Sequence, residues 1–225
     1  MTAAKNARVA GSMFLAYIVL GISEMVVFGR ASKGADTAAR LASMVQHETA
    51  VRMSVLLTLL TFAVAIALAV ALYALTRDED RDLALMALWF RGTEAIFAAV
   101  ACVRTLGLLA LATASVDAVG AEAAAANALG ASLMSQGGAT PLIAATCFAV
   151  GSTIYCYLFL RARSIPVALS WLGIAASLVL VVALPLRIAG VLSGTAAFVV
   201  WLPMLVFEVT FALWLLIKGV APSTR

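Results

Sequence analysis

The stretch LALMALWFRGTEAIFAAVACVRTLGLLALA, residues 83–112, decides the fold of this chain. It is long and apolar enough to cross a bilayer, for which about 20 apolar residues suffice. It nevertheless contains Arg91, Glu94 and Arg104. Because an ionised side chain at the bilayer centre costs about 2.5–3.5 kcal/mol on insertion scales, these charges predict partners on other spans. The other charges well inside apolar runs are Glu24, Arg187 and Glu208.

Composition places the chain among integral membrane proteins. Apolar residues make up 64% and charged residues 12%, with a mean hydropathy of +1.09. Soluble domains have about 45–50% apolar and about 25% charged residues, so a soluble fold is excluded. The apolar runs leave no room for a separate soluble domain, and we expect one transmembrane domain over residues 1–225. The basic residues flank apolar runs instead of clustering, which predicts no nucleic-acid partner and a lipid bilayer as the surroundings.

Six apolar runs predict an all-α, six-helix transmembrane bundle. The second run carries no charge and has alanines four residues apart, a spacing that lets helix backbones approach closely. The predicted spans are residues 9–29, 53–76, 83–112, 141–160, 167–186 and 196–217.

Two short surface helices are predicted in the first and third loops, both extracytoplasmic. In the first loop Asp36 can cap a helix with the sequence TAARLASMVQ. In the third, an alanine-rich helix over residues 121–134 should end at Gly137 and Gly138, because glycine weakens and terminates helices. Pro141 then opens the fourth span, since proline is favoured at the first position of a helix.

The distribution of basic residues predicts the orientation of the chain. Eight lysines and arginines lie near the span ends on one side, against three in the loops of the other, which also has Arg52 and Arg187 at its borders. The side richer in Lys and Arg is normally cytoplasmic. Both termini are therefore predicted to be cytoplasmic.

Counting residues from the span ends sorts the intramembrane charges into two layers. At about 1.5 Å per residue, Glu94 and Glu208 lie roughly 15 Å deep, near the midplane, together with Arg91. Arg91 and Glu94 are three residues apart on one helix and can pair directly. These three residues form the predicted central cluster. The predicted outer cluster contains Glu24, Arg104 and Arg187.

The central cluster has an excess of carboxylates. Two carboxyls and one guanidinium would carry a net negative charge if all were ionised in a low dielectric. We therefore expect the cluster to hold a proton, a cation or water. A proton-coupled transporter would use such a group, and so would a structural cluster that only fixes helix packing.

Other chemistry has little support in the sequence. No nucleophile elbow, P-loop or dinucleotide-binding glycine motif occurs, and His47 is the single histidine. The three cysteines lie in predicted spans without metal or redox spacing. We expect no cofactor and no metal site. The charge run RDEDRD, residues 77–82, predicts a solvated turn, with a cation site as the alternative.

Five segments resemble the bacterial integral membrane proteins of domain-of-unknown-function family 4386. The segments are ARVAGSMFLAYIVLGI at 7–22, VRMSVLLTLLTF at 51–62, WFRGTEAIFAAV at 89–100, YLFLRARSIPVALSWLGI at 157–174 and FEVTFALWLLIKGV at 207–220. The resemblance implies the same membrane fold, a place in the bacterial cytoplasmic (inner) membrane, and family-like charged positions at Arg91, Glu94 and Glu208. It implies no activity.

Three functional readings follow. In the first, the chain is an inner-membrane protein whose Arg/Glu cluster is structural or lines a small polar cavity. In the second, it is a small proton-coupled transporter that uses Glu94 and Glu208, with a proton or small molecule as ligand. In the third, it is an intramembrane lipid-modifying enzyme with the same two carboxyls as acid and base. No nucleophile supports the enzyme, which ranks last.

Overall fold

The computed structural model describes residues 2–221. It is 84% helical, and this part of the chain contains no strand, which confirms the predicted all-α class. The helices are α1 (Ala3–Ala31), α2 (Thr37–Gln46), α3 (Glu48–Thr76), α4 (Arg81–Ala114), α5 (Ala121–Ala162), α6 (Val167–Ile188), α7 (Ala196–Val199) and α8 (Leu202–Ile217).

Within the described residues six helical segments are long and apolar enough to cross a membrane. They are α1, α3, α4, α5, α6 and the segment Ala196–Ile217, which comprises α7 and α8. Each contains one predicted span, so the six-span prediction is confirmed. Three of these helices, α1, α4 and α5, extend past the predicted spans at both ends, and α3 extends past its span only at its start.

The predicted break in the third loop is wrong. Residues 121–134 are helical as expected, but α5 continues through Gly137 and Gly138 to Ala162, with Pro141 inside it and not at its start. Glycine costs only about 1 kcal/mol in a helix interior. Both glycines lie before the predicted span 141–160, and tertiary packing offsets their cost, since Arg104 lies against Gly137 and Leu41 against Gly130 of the same helix. Pro141, at the start of the span, is tolerated as prolines in spanning helices are.

The sixth span is interrupted near its beginning. A turn at residues 200–201 separates the four-residue α7 from α8, and Pro203 lies in the first turn of α8. Proline has no N–H to donate to the carbonyl four residues earlier, and its ring clashes with that carbonyl. Pro203 therefore favours a helix start at this point over continuation from α7.

The predicted surface helix after the first span is present as α2. The Asp36 side chain caps it by accepting a hydrogen bond from the Ala39 N–H at 2.8 Å. Leu41 and Met44 are buried. A Cβ added at Gly130 of α5 would lie 3.0 Å from the Leu41 side chain, so α2 packs closely on this glycine.

The charged segment 77–82 forms the turn between α3 and α4. Asp80 accepts a hydrogen bond from the Leu83 N–H at 3.1 Å and so caps α4. Arg161, near the end of α5, forms ion pairs with Glu79 at 3.1 Å and with Asp80 at 3.3 Å. The predicted turn is confirmed, and two of its carboxylates are paired with α5.

The chain forms two compact units. The first contains the chain up to Tyr17, residues 63–96 and the chain from Leu142 onward. Its buried core includes an aromatic cluster in which the Phe211 ring lies 5.3 Å from the rings of Phe159 and Phe207 and 5.6 Å from that of Phe14. Aromatic rings at such separations contribute about 0.5–1.5 kcal/mol per pair beyond their burial.

The second unit contains residues 18–62 and 97–141. Its smaller core joins α2 to the ends of α1, α3 and α4 that belong to this unit. The buried residues of this core are Ala31, Leu41, Met44, Val51, Leu108, Leu109 and Ala112. The expectation of a single domain stays a prediction.

Gly11 provides a test of packing in the first unit. A Cβ added there would lie 2.7 Å from the Ala212 carbonyl oxygen of α8 and 2.8 Å from the Leu216 side chain. Gly11→Ala must therefore displace α1 from α8. We expect it to lower the free energy of unfolding in detergent by about 1–3 kcal/mol, as overpacking does.

Gly21→Ala is the matched control on the same helix. A Cβ at Gly21 meets no described atom within 4 Å, so this variant should gain up to about 1 kcal/mol from helix propensity. Equal stability of the two variants would show that α1 and α8 are not in close contact.

Candidate functional site

An arginine–glutamate pair lies in the interior of the first unit. Arg91 and Glu94 are one turn apart on α4, and the Arg91 Nη1 lies 2.9 Å from the Glu94 Oε2. Arg91 is 1% exposed and Glu94 6% exposed. The direct pairing expected from their spacing is present, and both charges face protein.

Tyr17 of α1 completes the bonding of Glu94. Its hydroxyl donates a hydrogen bond to the Glu94 Oε1 at 2.6 Å. The two carboxylate oxygens are therefore engaged in different ways, Oε1 by a hydrogen bond from α1 and Oε2 by the ion pair with Arg91. A hydrogen bond to a charged group contributes about 1.5–3 kcal/mol, roughly twice that of a neutral one.

Tyr17 was not identified from the sequence as part of the site, although its position inside the first span could have indicated it. Tyr17 lies about 12 Å into the predicted first span at 1.5 Å per residue. Tyrosine usually lies at the membrane interface, where its hydroxyl reaches water. A tyrosine deep in a span needs a hydrogen-bond partner in the protein, and a buried carboxylate is the strongest acceptor available.

Aromatic rings surround the Arg91 guanidinium. Its Cζ lies 4.6 Å from the centre of the Phe148 ring on α5 and 5.8 Å from that of Tyr17. Such cation–π contacts contribute about 2 kcal/mol or more when desolvated. A Cβ added at Gly151 of α5 would lie 3.0 Å from the Arg91 Cγ, so this glycine makes room for the arginine stem.

Glu208 of α8 lies in the same unit and is bonded differently. It is 8% exposed, and its Oε1 has no hydrogen-bond partner among residues 2–221. The charges of Arg91 and Glu94 both act on it, but within the described chain the ion pair of Arg91 is with Glu94. The cluster therefore consists of a bonded pair and a separate carboxyl.

This arrangement concentrates the excess negative charge on Glu208. One guanidinium and two carboxylates carry a formal charge of −1 if all are ionised. Arg91 and Glu94 balance each other, so the remaining charge belongs to Glu208. A buried carboxylate without a partner is costly, and such a group can hold a proton or a small cation.

The residues of the predicted outer cluster lie in different units. Glu24 and Arg104 both line a cavity of about 600 Å³ in the second unit. Arg187 belongs to the first unit, where its guanidinium carbon lies 5.8 Å from the centre of the Phe198 ring.

The cysteines and acidic residues form no further site that geometry supports. Over residues 2–221 no three side chains of His, Cys, Asp or Glu are grouped as metal ligands would be. The cysteines are free thiols. The chemistry of the site therefore depends on the Arg91, Glu94 and Glu208 side chains with Tyr17.

Comparison with known proteins gives one finding. The model of the family described as a domain of unknown function (DUF4386) matches residues 9–219. No curated protein and no solved structure matches the chain. The matched region covers nearly the whole chain and includes every residue of the central cluster.

Proposed function

Because the chain belongs to the DUF4386 family, whose description gives no activity, we propose its function from the buried cluster. The chain is a multi-pass membrane protein in which the bonds among Arg91, Glu94 and Tyr17 hold helices together. We call this group of residues the structural tie. The observation that carries this proposal is the double engagement of Glu94. Tyr17 bonds one oxygen at 2.6 Å and Arg91 the other at 2.9 Å. A carboxylate with both oxygens bonded has its charge balanced and its position fixed.

The energetics support a structural role. Removing one member of a buried charge pair typically costs about 3–5 kcal/mol, because the other charge is left uncompensated. Residues on three helices hold this pair: Tyr17 on α1, the pair itself on α4 and Phe148 on α5. The tie therefore links α1, α4 and α5 within the first unit.

The bond between Tyr17 and Glu94 gives the test. Tyr17→Phe keeps the ring and leaves the Glu94 Oε1 without a donor, so it should lower the free energy of unfolding by about 1.5–3 kcal/mol. In a Glu94→Gln background the same change removes only a neutral bond and should cost about 0.5–1.5 kcal/mol. The measurement is denaturant or thermal unfolding in detergent.

Tyr157→Phe is the matched control. Tyr157 is 43% exposed near the end of α5, so losing its hydroxyl should change stability by less than about 0.5 kcal/mol. If Tyr17→Phe costs no more than this control, the hydrogen bond does not stabilise the fold and the proposed tie is wrong.

The proposal includes location and orientation. We place the chain in the bacterial cytoplasmic membrane with both termini in the cytoplasm. The bias of eight basic residues to three supports the orientation. A fluorescent protein that matures only in the cytoplasm should fluoresce when fused to the C-terminus, and alkaline phosphatase at the same position should be inactive. Active phosphatase at that position would show that the C-terminus lies outside the cytoplasm and would contradict the proposed orientation.

A second candidate function is proton or small-cation binding by Glu208. It is favoured by the buried Glu208 Oε1, which has no partner within the described part of the chain. The sequence suggested a carrier that uses Glu94 and Glu208 together. Since both oxygens of Glu94 are engaged, the geometry favours Glu208 as the group that binds and releases the proton or cation. It gives less support to an enzyme that uses the two carboxyls as acid and base.

Infrared spectroscopy of the purified protein tests this candidate. Surface carboxyls are ionised at neutral pH, so a buried protonated carboxyl gives a distinct C=O stretching band. We expect that band in the wild-type protein and its loss in Glu208→Gln. Glu94→Gln should lose the band as well, because Glu208 then ionises to balance Arg91. Glu24→Gln, in the second unit, is the control and should retain it. A band that persists in Glu208→Gln would assign the proton to another group and remove Glu208 as the site.

A further inference from the structure

The cavity that contains Arg104 in the second unit is distinct from the central cluster. Lys33 and Gly34, in the loop after α1, form one end of its wall. Thr58 and Ala101, inside predicted spans, form another part. The cavity therefore extends from a loop into the apolar part of the unit. Its volume of about 600 Å³ lies in the range of small-molecule sites.

The charged side chains of this cavity are mostly cationic. Lys33, Arg40 and Arg104 line it together with one carboxylate, Glu24, which gives a formal charge of +2. Arg40 is held in place because its Nε donates to the Ser32 carbonyl at 3.1 Å, which uses one of its five N–H donors. An excess of guanidinium and ammonium groups favours an anion with several acceptor oxygens.

Arg104 has an unused donor. Its Nε is buried and has no hydrogen-bond partner among the groups that the structure describes. Its guanidinium lies against Gly137 of α5, in the space that a side chain at that position would occupy. The bare glycine backbone thus sets where the Arg104 guanidinium lies at the cavity wall.

Apolar side chains complete the wall. They are Met25, Phe28, Met44, Leu108 and Met134. A site with cations near a loop and apolar groups beside them matches an amphiphile, with an anionic headgroup at the cations and a hydrocarbon chain along the apolar wall.

From these observations we infer that the Arg104 cavity is a binding site for a phosphate group, carried by an acidic lipid headgroup. Arg104 and Arg40 bind the phosphate oxygens, and Lys33 attracts the anion from the loop side. Free phosphate shares the headgroup chemistry but not the chain, so the two sources are separable by experiment. This inference does not depend on the central cluster.

Two neighbouring glycines provide the test. In Gly137→Ala the new Cβ takes the place of the Arg104 guanidinium and must displace it, although every charge is kept. In Gly138→Ala the new Cβ meets no described atom within 4 Å. Both changes give α5 the same gain in helix propensity, so a difference between them reports the position of Arg104.

The experiment measures binding by thermal stabilisation of the purified protein in detergent, since a ligand stabilises the folded state by mass action. The probes are phosphatidylglycerol, zwitterionic phosphatidylcholine and inorganic phosphate. Phosphatidylglycerol should stabilise the wild-type protein and phosphatidylcholine should not. Gly137→Ala should bind phosphatidylglycerol about tenfold more weakly, the effect of one lost charge-assisted bond, and Gly138→Ala should bind as the wild type does.

Arg104→Gln is a second test of the same site and should weaken the binding of phosphatidylglycerol at least as much as Gly137→Ala does. Stabilisation by inorganic phosphate that equals that of phosphatidylglycerol would support the phosphate site and identify free phosphate as its ligand. Unchanged binding of phosphatidylglycerol in Gly137→Ala and Arg104→Gln, or equal stabilisation by both lipids, would overturn the inference.

Discussion

In the function proposed above, the first unit depends on the ion pair of Arg91 and Glu94. A guanidinium that is 1% exposed in an apolar bundle must have its charge balanced close by, because neither water nor lipid tails can do so. Glu94 balances it from the same helix, and Tyr17 and the Phe148 ring fix the pair from α1 and α5. Under this proposal, the requirement for charge compensation determines which faces of these three helices meet.

Both intramembrane arginines of α4 lie against a glycine of α5. In the first unit Arg91 packs beside Gly151, and in the second Arg104 packs beside Gly137. A long cationic side chain between two close helices needs space, and the absence of a Cβ on the facing helix provides it. Two of the glycines that weaken α5 by local propensity, Gly137 and Gly151, are thus the positions that accept the arginines.

Much of this fold can be predicted from the sequence because the bilayer constrains it. Apolar run length gave the six spans, and the side-chain chemistry of Asp36 gave α2. The continuity of α5 could not be predicted in this way. Rules that end helices at glycine describe local propensity, and they do not include the tertiary packing that surrounds Gly137 in α5.

That Arg91, Glu94 and Glu208 lie in one part of the protein was predictable, but the directions of their side chains were not. Counting residues placed Arg91, Glu94 and Glu208 in one layer, and all three lie in one unit. Residue counting does not give the azimuth of a side chain around its helix, so neither the Tyr17 bond nor the missing partner of Glu208 could be read from it. The place of Arg187 in a different unit from Glu24 and Arg104 was not predictable for the same reason.

The state of each polar atom separates structural roles from binding roles. Glu94 has one oxygen hydrogen-bonded to Tyr17 and the other in an ion pair with Arg91, so its charge is balanced and it gains little from a ligand. Glu208 Oε1 and Arg104 Nε are buried without a partner in the described chain, and each such atom costs about 1–3 kcal/mol. A ligand that forms a hydrogen bond with such an atom removes this cost. Because the first atom is an acceptor and the second a donor, the two units favour ligands of opposite charge: a proton or cation at Glu208 and an anion at Arg104.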